Sequence, residues 1–224
     1  MMEFSSFLST MFLTFKVATI TTFLLLIFAI PLAYFLAFSQ SKITSVLEAI
    51  VSMPLVLPPS VLGFYLLLAF SPQNAFGGFL LEHFNLKLVF SFEGLILASV
   101  IFSLPFMVNP IQAGFASLPK SLFEAALTLG KSRLSILLRV LLPNISHSIW
   151  MGVVIAFAHT IGEFGVVMMI GGNIQGQTRV ASIAIYDEVE SLNYALANQY
   201  ALTLFIITFC ILLLTFYLKK RKSL

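Results

Sequence analysis

Leu118-Pro119-Lys120-Ser121-Leu122-Phe123-Glu124-Ala125-Ala126-Leu127-Thr128-Leu129-Gly130 is the stretch on which the reading of this chain turns. Pro119 suits the first turn of a helix, where its missing N–H costs no hydrogen bond. Good helix formers follow, and Gly130 is free to take the left-handed backbone that closes a helix. Ser132 is placed to cap a second helix, which runs through Leu134, Leu137, Leu138 and Leu141 until Pro143. Lys120, Lys131, Arg133 and Arg139 make this helix, glycine turn and helix too polar to enter hydrocarbon.

The rest of the chain is the opposite. Of 224 residues, 59% are hydrophobic and 9% charged, and the mean hydropathy is +1.03. Soluble domains carry about 45–50% apolar and about 25% charged residues, so these charges are too few to cover a water-soluble globule. A soluble enzyme, a disordered chain and a nucleic-acid module are excluded, and no stretch forms a basic nucleic-acid footprint. What remains is an all-α integral membrane protein with lipid around it. A spanning helix takes about 20 apolar residues, which leaves no room for a sizeable extramembrane domain, so residues 1–224 read as a single transmembrane domain. Five apolar runs, 12–38, 49–70, 95–115, 149–170 and 200–218, are the expected spans. The first exceeds the roughly 7–15 residues of a signal core and is expected to be retained. It carries Ala29, Ala33 and Ala37 four residues apart, a stripe that either permits close helix contact or reflects the frequency of alanine. The lone Cys210 allows no intrachain disulfide.

Five spans put the two termini on opposite sides of the membrane. Lys42, Lys120, Lys131, Arg133, Arg139, Lys219, Lys220, Arg221 and Lys222 fall on one side, and only Lys16, Lys87 and Arg179 on the other. Basic residues favour the cytoplasm, so the C-terminus is expected there and the N-terminus outside, in a multi-pass membrane protein. Glu3, Glu82, Glu93, Asp187, Glu188 and Glu190 then lie outside. Residues 117–148 form the longest cytoplasmic connection; residues 71–94 and 171–199 are external. Within the latter, the apolar island Val180–Tyr186 is too short to span and reads as a short helix resting at or dipping into the outer face.

Polar exceptions mark the spans. Pro31, Pro54, Pro58, Pro59, Pro105 and Pro110 fall within the first three. Each interior proline removes a backbone hydrogen bond, and lipid tolerates such backbone only when it is buried in protein or lines a water-filled cavity. Pro58, Pro59 and Ser60 are therefore candidates for a translocation path. The fourth run holds His159-Thr160-Ile161-Gly162-Glu163, whose His159 and Glu163 share one face of a continuous helix. They read either as a gate element beside the path or as a structural lock to a neighbouring helix, and a proton relay is a further alternative. One histidine and one glutamate are too few for a metal site.

A bare membrane protein has little need for a polar helical hairpin at its inner face, and the 117–148 connection reads as a docking element for a cytoplasmic partner. Glu124-Ala125-Ala126, three residues, Gly130, nine residues and Val140-Leu141-Leu142-Pro143 resemble the EAA loop of permease subunits in binding-protein-dependent ATP-binding-cassette importers. That family has isoleucine where Val140 stands. The resemblance implies a type I importer permease fold of five transmembrane helices with a cytoplasmic coupling helix, in which Glu124, Ala125, Ala126, Gly130, Leu142 and Pro143 carry ATPase coupling. Gly130-Lys131-Ser132 also fits the loosest form of a phosphate-binding loop, but no strand precedes it and it is not glycine-rich. The chain itself is thus expected to be no enzyme and to bind no cofactor, with ATP and Mg on the partner ATPase.

Gly162-Glu163-Phe164-Gly165, Gly171-Gly172-Asn173-Ile174, Ser182-Ile183-Ala184-Ile185-Tyr186-Asp187, Pro54-Leu55-Val56-Leu57-Pro58-Pro59-Ser60-Val61-Leu62-Gly63 and Leu104-Pro105-Phe106-Met107-Val108 are similar to the permeases for molybdate, sulfate and tungstate, molybdate best. The likeness implies a homodimer around a central path, a cytoplasmic ATPase dimer and a periplasmic molybdate-binding protein delivering substrate, with Val180–Tyr186 as a candidate contact. Moving a dianion into low dielectric costs tens of kcal/mol, on the order of 20 or more, and the spans carry no lysine or arginine at mid-depth. A transient hydrated path lined by neutral donors such as Ser60 and Thr160 is expected. An ion-coupled carrier or channel using His159 and Glu163 is the alternative from another class; it leaves the helical hairpin without a purpose. A membrane serine hydrolase lacks a serine matched to His159.

Overall fold

The computed structural model describes residues 2–222; the side chains of Glu3, Lys219, Lys220, Arg221 and Lys222, used in the charge comparison above, lie outside the described residues. The described chain is helical throughout: α1 (Met2–Phe38), α2 (Lys42–Val56), α3 (Pro59–Phe70), α4 (Ala75–Phe84), α5 (Phe92–Ala116), α6 (Lys120–Thr128), α7 (Arg133–Ile136), a π-helical turn (Leu137–Leu141), α8 (Leu142–Asn144), α9 (Ser146–Gly162), α10 (Gly165–Gly171), α11 (Ala181–Glu190) and α12 (Tyr194–Lys222).

Three stretches are long and apolar enough to cross a bilayer unaided: Ser5–Phe38, Phe92–Ala116 and Tyr194–Thr215. Helix α1 starts ten residues before the apolar run at 12–38, because polar but helix-compatible residues extend it. Two expected spans are not single helices. Residues 49–70 divide into α2 and α3, bent by 114°, and the chain from α7 through α9 is bent by 73°. The first bend has a direct cause: Pro58 and Pro59 supply no N–H, and Leu57 closes α2 with extended backbone. The run 149–170 ends as a helix at Gly162 and restarts at Gly165. Glu163 between them is extended, with φ −69° and ψ 130°, so His159 and Glu163 do not share a helix face. Five crossings require each bent pair to count as one.

Lipid tails are as apolar as leucine, so helices in a bilayer are held by close packing and polar contacts more than by exclusion of water. Helix α1 packs along α5, and α5 along α9, more extensively than any other pairs. Ala29 and Ala33 of the alanine stripe are fully buried in the core containing Met107, Val108 and Ile111. The interior has two apolar clusters. One gathers Leu13, Val17, Leu66, Leu95, Phe102 and Val166; the other gathers Leu25, Ala29, Met107, Phe115, Ala126 and Ile136. Between them along the chain lie Thr21 and Thr22 of α1, Ser99 and Ser103 of α5, and Thr160 of α9, all buried, with His159 half-buried.

The island Val180–Tyr186 forms the first half of α11, a short helix as expected, and most of it is buried in the bundle. Val180, Ala181, Ile183 and Ala184 are buried, and only Tyr186 of this stretch is exposed. Apolar side chains so close together complete the core instead of facing water. Thr14 accepts the Ala181 N–H at 2.8 Å, and Arg179 pairs with Asp187 at 2.8 Å and Glu188 at 2.9 Å, fixing α11 to the preceding segment. Helix α12 is different: it packs chiefly on α11 and lightly on α9, and only 11% of its apolar window is buried.

Helices α3 and α10 approach at glycines. A Cβ on Gly63 would stand 2.8 Å from Met169 Cβ, and one on Gly165 would stand 2.6 Å from Pro59 Cβ. Overpacking of this kind typically costs about 1–3 kcal/mol. Gly63→Leu and Gly165→Val are each expected to lower the thermal unfolding midpoint of the purified protein in detergent by several degrees, whereas Gly162→Ala, where the added Cβ would meet nothing within 4 Å, is expected to leave it within about a degree.

Candidate functional site

The helical hairpin after α5 is built much as its residues demand. Pro119 stands just before α6 as its N-cap, one position outside the first turn expected for it. Gly130 has φ +70°, and its N–H and that of Lys131 return to Leu127 O at 2.9 Å and Ala126 O at 3.2 Å, satisfying carbonyls at the end of α6. Ser132 Oγ caps α7 by accepting Ser135 N–H at 3.3 Å. The second helix is not continuous to Pro143: the π-helical turn Leu137–Leu141 interrupts it, and Leu142 and Pro143 lie in the single turn α8. Proline at 143 has no N–H for a carbonyl four residues back, which loosens the helix at this point.

One side of α6 is fastened to the bundle and the other is free. Ala126 is 7% exposed and belongs to the inner apolar cluster. Phe123 stacks on Phe38 at 6.4 Å, and Phe38 meets Phe115 edge-on at 5.9 Å, with Tyr34 5.6 Å from Phe115. These rings tie α6 to the ends of both α1 and α5. Glu124, Ala125 and Gly130 are exposed, as is Leu129 at 77%. Leu142 is half-buried and Pro143 exposed. A force applied to the free side therefore reaches α1 and α5 through packed aromatic rings.

The second cluster of candidate residues sits where the break between α2 and α3 meets the break between α9 and α10. Pro59 at the start of α3 lies against Gly165 at the start of α10, so the two breaks are adjacent in space. Pro58, Pro59 and Ser60 are exposed on the protomer, and α3 begins without a side-chain cap. Helix α10 is capped from within: Glu163, 7% exposed, accepts Val166 N–H on Oε1 at 2.8 Å, and its carbonyl accepts the Ser182 hydroxyl at 2.5 Å. A carboxylate at a helix N-terminus also opposes the positive end of the helix dipole. Glu163 thus joins α9, α10 and α11. His159 is placed separately. Its Nδ1 lies 3.1 Å from Ser103 Oγ, which is 3.0 Å from Thr160 Oγ1, and its ring lies against Phe106 at 3.9 Å and Phe102 at 5.0 Å. No hydrogen bond joins His159 to Glu163 among the described residues.

The polar partnerships of four residues were unread in the sequence: Ser103, Ser182, Glu48 and Gln112. Gln112 Nε2 donates to Glu48 Oε1 at 2.5 Å between α5 and α2. An isolated glutamine inside the 95–115 run was the available signal. No group of three or more histidine, cysteine, aspartate or glutamate residues suited to a metal occurs among the described residues.

Residues 29–224 match the family of binding-protein-dependent transport system inner membrane components. The chain belongs to this family. It is 39% identical to the molybdenum transport system permease protein ModB of Azotobacter vinelandii, over 94% of this chain and 93% of the relative. It is 33% identical to the sulfate transport system permease protein CysT of Salmonella typhimurium LT2, over 78% of this chain and 63% of the relative. Among solved structures, an inward-facing MetNI methionine ABC transporter superposes with a TM-score of 0.75 at 15% identity, over 98% of this chain and 97% of that one. The fold is therefore that of type I importer permeases, and the chain is a permease subunit of an ATP-binding-cassette importer, not an enzyme.

Glu163→Ala removes a helix cap and should cost about 0.5–2 kcal/mol, read as a fall of several degrees in the unfolding midpoint. Glu163→Gln keeps an acceptor for Val166 and is expected to recover most of that loss. An equal fall in both variants would mean that the charge itself, not the cap, holds the break.

Proposed function

We propose that this chain carries molybdate inward through a homodimer, driven by ATP hydrolysis, with ATP and Mg held on a separate cytoplasmic ATPase dimer, and with substrate delivered by a periplasmic molybdate-binding protein. The observation that carries the substrate is 39% identity across 94% of the chain to a molybdenum permease. The excess of basic residues supports α6–α8 and the C-terminus on the cytoplasmic side, with α4 and α11 toward the outer face. On this reading Glu124, Ala125, Gly130, Leu142 and Pro143 contact or flank the ATPase, while Ala126 seats the coupling helix on the bundle. Nucleotide-driven closure pushes on α6, and the Phe123–Phe38–Phe115 rings pass the motion to α1 and α5.

The path runs past the adjacent breaks, with Pro58, Pro59, Ser60, His159 and Thr160 along it. A tetrahedral dianion needs donors, and the uncapped start of α3 offers the Ser60 amide and hydroxyl at the positive end of a helix. Glu163 beside them repels an anion, and its role as a cap turns the carboxylate toward backbone. Weak, neutral donors suit passage more than capture, leaving tight recognition to the binding protein.

Sulfate is the second reading, favoured by the 33% identity to a sulfate permease; tungstate shares the same geometry as molybdate. The test is ATPase activity of the reconstituted complex with binding protein loaded in turn with molybdate, tungstate and sulfate. Stimulation by molybdate is expected, and stimulation by sulfate alone overturns the substrate. Gly130→Val, strained at positive φ by about 1–2 kcal/mol, is expected to reduce copurification of the ATPase while leaving the permease folded.

A further inference from the structure

Helix α4 has three lengthwise faces of different character, each made of positions three or seven apart. Gly77 and Leu80 turn to the bundle. Gly77 is buried, and a Cβ there would stand 2.5 Å from Phe70 O and closer still to Ser71 O; Leu80 packs against the apolar cluster that holds Leu66 and Phe70. Ala75, Gly78 and Glu82 form the second face, which opens on a cleft of about 350 Å³ with Gln73 and Asn74 in its lining. Phe76, Phe79 and His83 form the third. Phe76 is 54% exposed and Phe79 48%, and Phe84 at the helix end is 67% exposed. Their rings make one surface: His83 stacks on Phe79 at 4.4 Å, Phe84 meets Phe79 edge-on at 6.0 Å, and Phe76 lies 5.8 Å from Phe70 of α3. No charged side chain falls on this face; Glu82 is on the cleft side.

The place of α4 relative to the membrane is set by α3. Only Ser71–Asn74 separate the two helices, and this turn is tightly bonded: Ser71 N–H donates to Leu68 O at 3.4 Å, Asn74 N–H to Ser71 O at 2.9 Å, and the Asn74 side-chain amide to Leu68 O. With Gly77 against the last carbonyls of α3, α4 lies across the end of that helix. When α2 and α3 count as one crossing, this end is at a membrane face. A helix there meets protein on one side, water on another and lipid on the third, and these are the three faces of α4. Phenylalanine rings so grouped on a surface need a cover. A partner that docks and leaves would return them to water at every departure, whereas the bilayer is always present. A helix with an aromatic face and a polar one settles at the boundary of headgroups and acyl chains.

We propose that α4 binds the outer lipid leaflet through Phe76, Phe79, His83 and Phe84, and that this contact fixes the depth of α3 in the bilayer. Helix α3 has 12 residues, about 18 Å at 1.5 Å per residue, and half the hydrocarbon core is about 15 Å. With one end of α3 held at the outer boundary, its other end, at Pro59 and Ser60, falls near the middle of the membrane. The break between α2 and α3 is thereby kept at one depth. That the leaflet is the outer one rests on the orientation proposed above; the contact with lipid does not.

The chain has one tryptophan, Trp150, so Trp150→Phe clears the background for a single reporter. Phe79→Trp places it on the aromatic face, and Gln73→Trp on the cleft side. In the permease–ATPase complex in lipid vesicles, Phe79→Trp is expected to be quenched about twofold more by lipid brominated high on the acyl chain than by lipid brominated near the chain ends, as burial to about 5–10 Å requires. It is also expected to be shielded from iodide, whereas Gln73→Trp is quenched by iodide and little by either lipid. Phe84→Trp gives the same reading should Phe79→Trp fail to fold. Iodide quenching on the aromatic face means water covers it. Quenching by neither agent means that a second copy covers it. Iodide access lost only when loaded binding protein is added means a docking site. Each of these overturns the proposal. Phe79→Ser with Phe84→Ser is expected to shift the bromine position that best quenches Tyr65→Trp on the exposed side of α3; an unchanged profile overturns the depth-setting role. Orientation is read separately. Glu82→Cys with Cys210→Ser is expected to react with an impermeant maleimide in right-side-out vesicles, and reaction only after lysis keeps the lipid contact while overturning the orientation.

Discussion

Hydrocarbon offers no hydrogen bonds, so every backbone group freed by breaking a helix inside a membrane must find a partner in protein or in a water-filled path. Two spans of this chain are broken, and the rest of the architecture follows from how their ends are served. At one break the demand is reduced at source, since Pro58 and Pro59 have no N–H to satisfy. At the other it is met by Glu163, whose carboxylate takes the Val166 N–H and whose carbonyl takes the Ser182 hydroxyl. Gly63 and Gly165 let these ends approach until side chains of one touch the backbone of the other. The break is thus a built junction of three helices, α3, α10 and α11.

Continuous helices connect that junction to the opposite end. Helices α1 and α5 run through both apolar clusters, and α6 is stacked on their ends through Phe123, Phe38 and Phe115. Close-packed interiors deform little, so displacement of α6 is carried along α1 and α5 rather than absorbed locally. The polar layer of Thr21, Thr22, Ser99, Ser103 and Thr160 lies where the two clusters adjoin.

The membrane class, the helical hairpin and its glycine turn were legible because each depends on local chemistry: apolar run length, a proline before a helix, a glycine after it. Gly130 takes φ +70° as its place at a helix end demands. The break at Glu163 was not legible. Nothing in Ile161-Gly162-Glu163-Phe164-Gly165 forbids a continuous helix, and the run was read as one. Its interruption is decided by contacts distant in sequence, with Ser182 and Pro59, which no periodicity encodes. The same holds for Val180–Tyr186, whose apolar character was visible but whose partners, Thr14 and α12, were not. Ser103 escaped notice because a lone serine in an apolar helix is ordinary; its importance arises only from lying opposite His159.

Helix α12 packs chiefly on α11 and keeps most of its apolar surface free. The dense contacts, α1 with α5, α5 with α9 and α3 with α10, all involve segments that leave the ribosome before it. The cluster of Met11, Ala181, Ala184 and Tyr200 is closed only by the first turns of α12, so the N-terminal part of α1 gains its last buried neighbours from the final helix to be synthesised, while the rest of that helix adds little to the core.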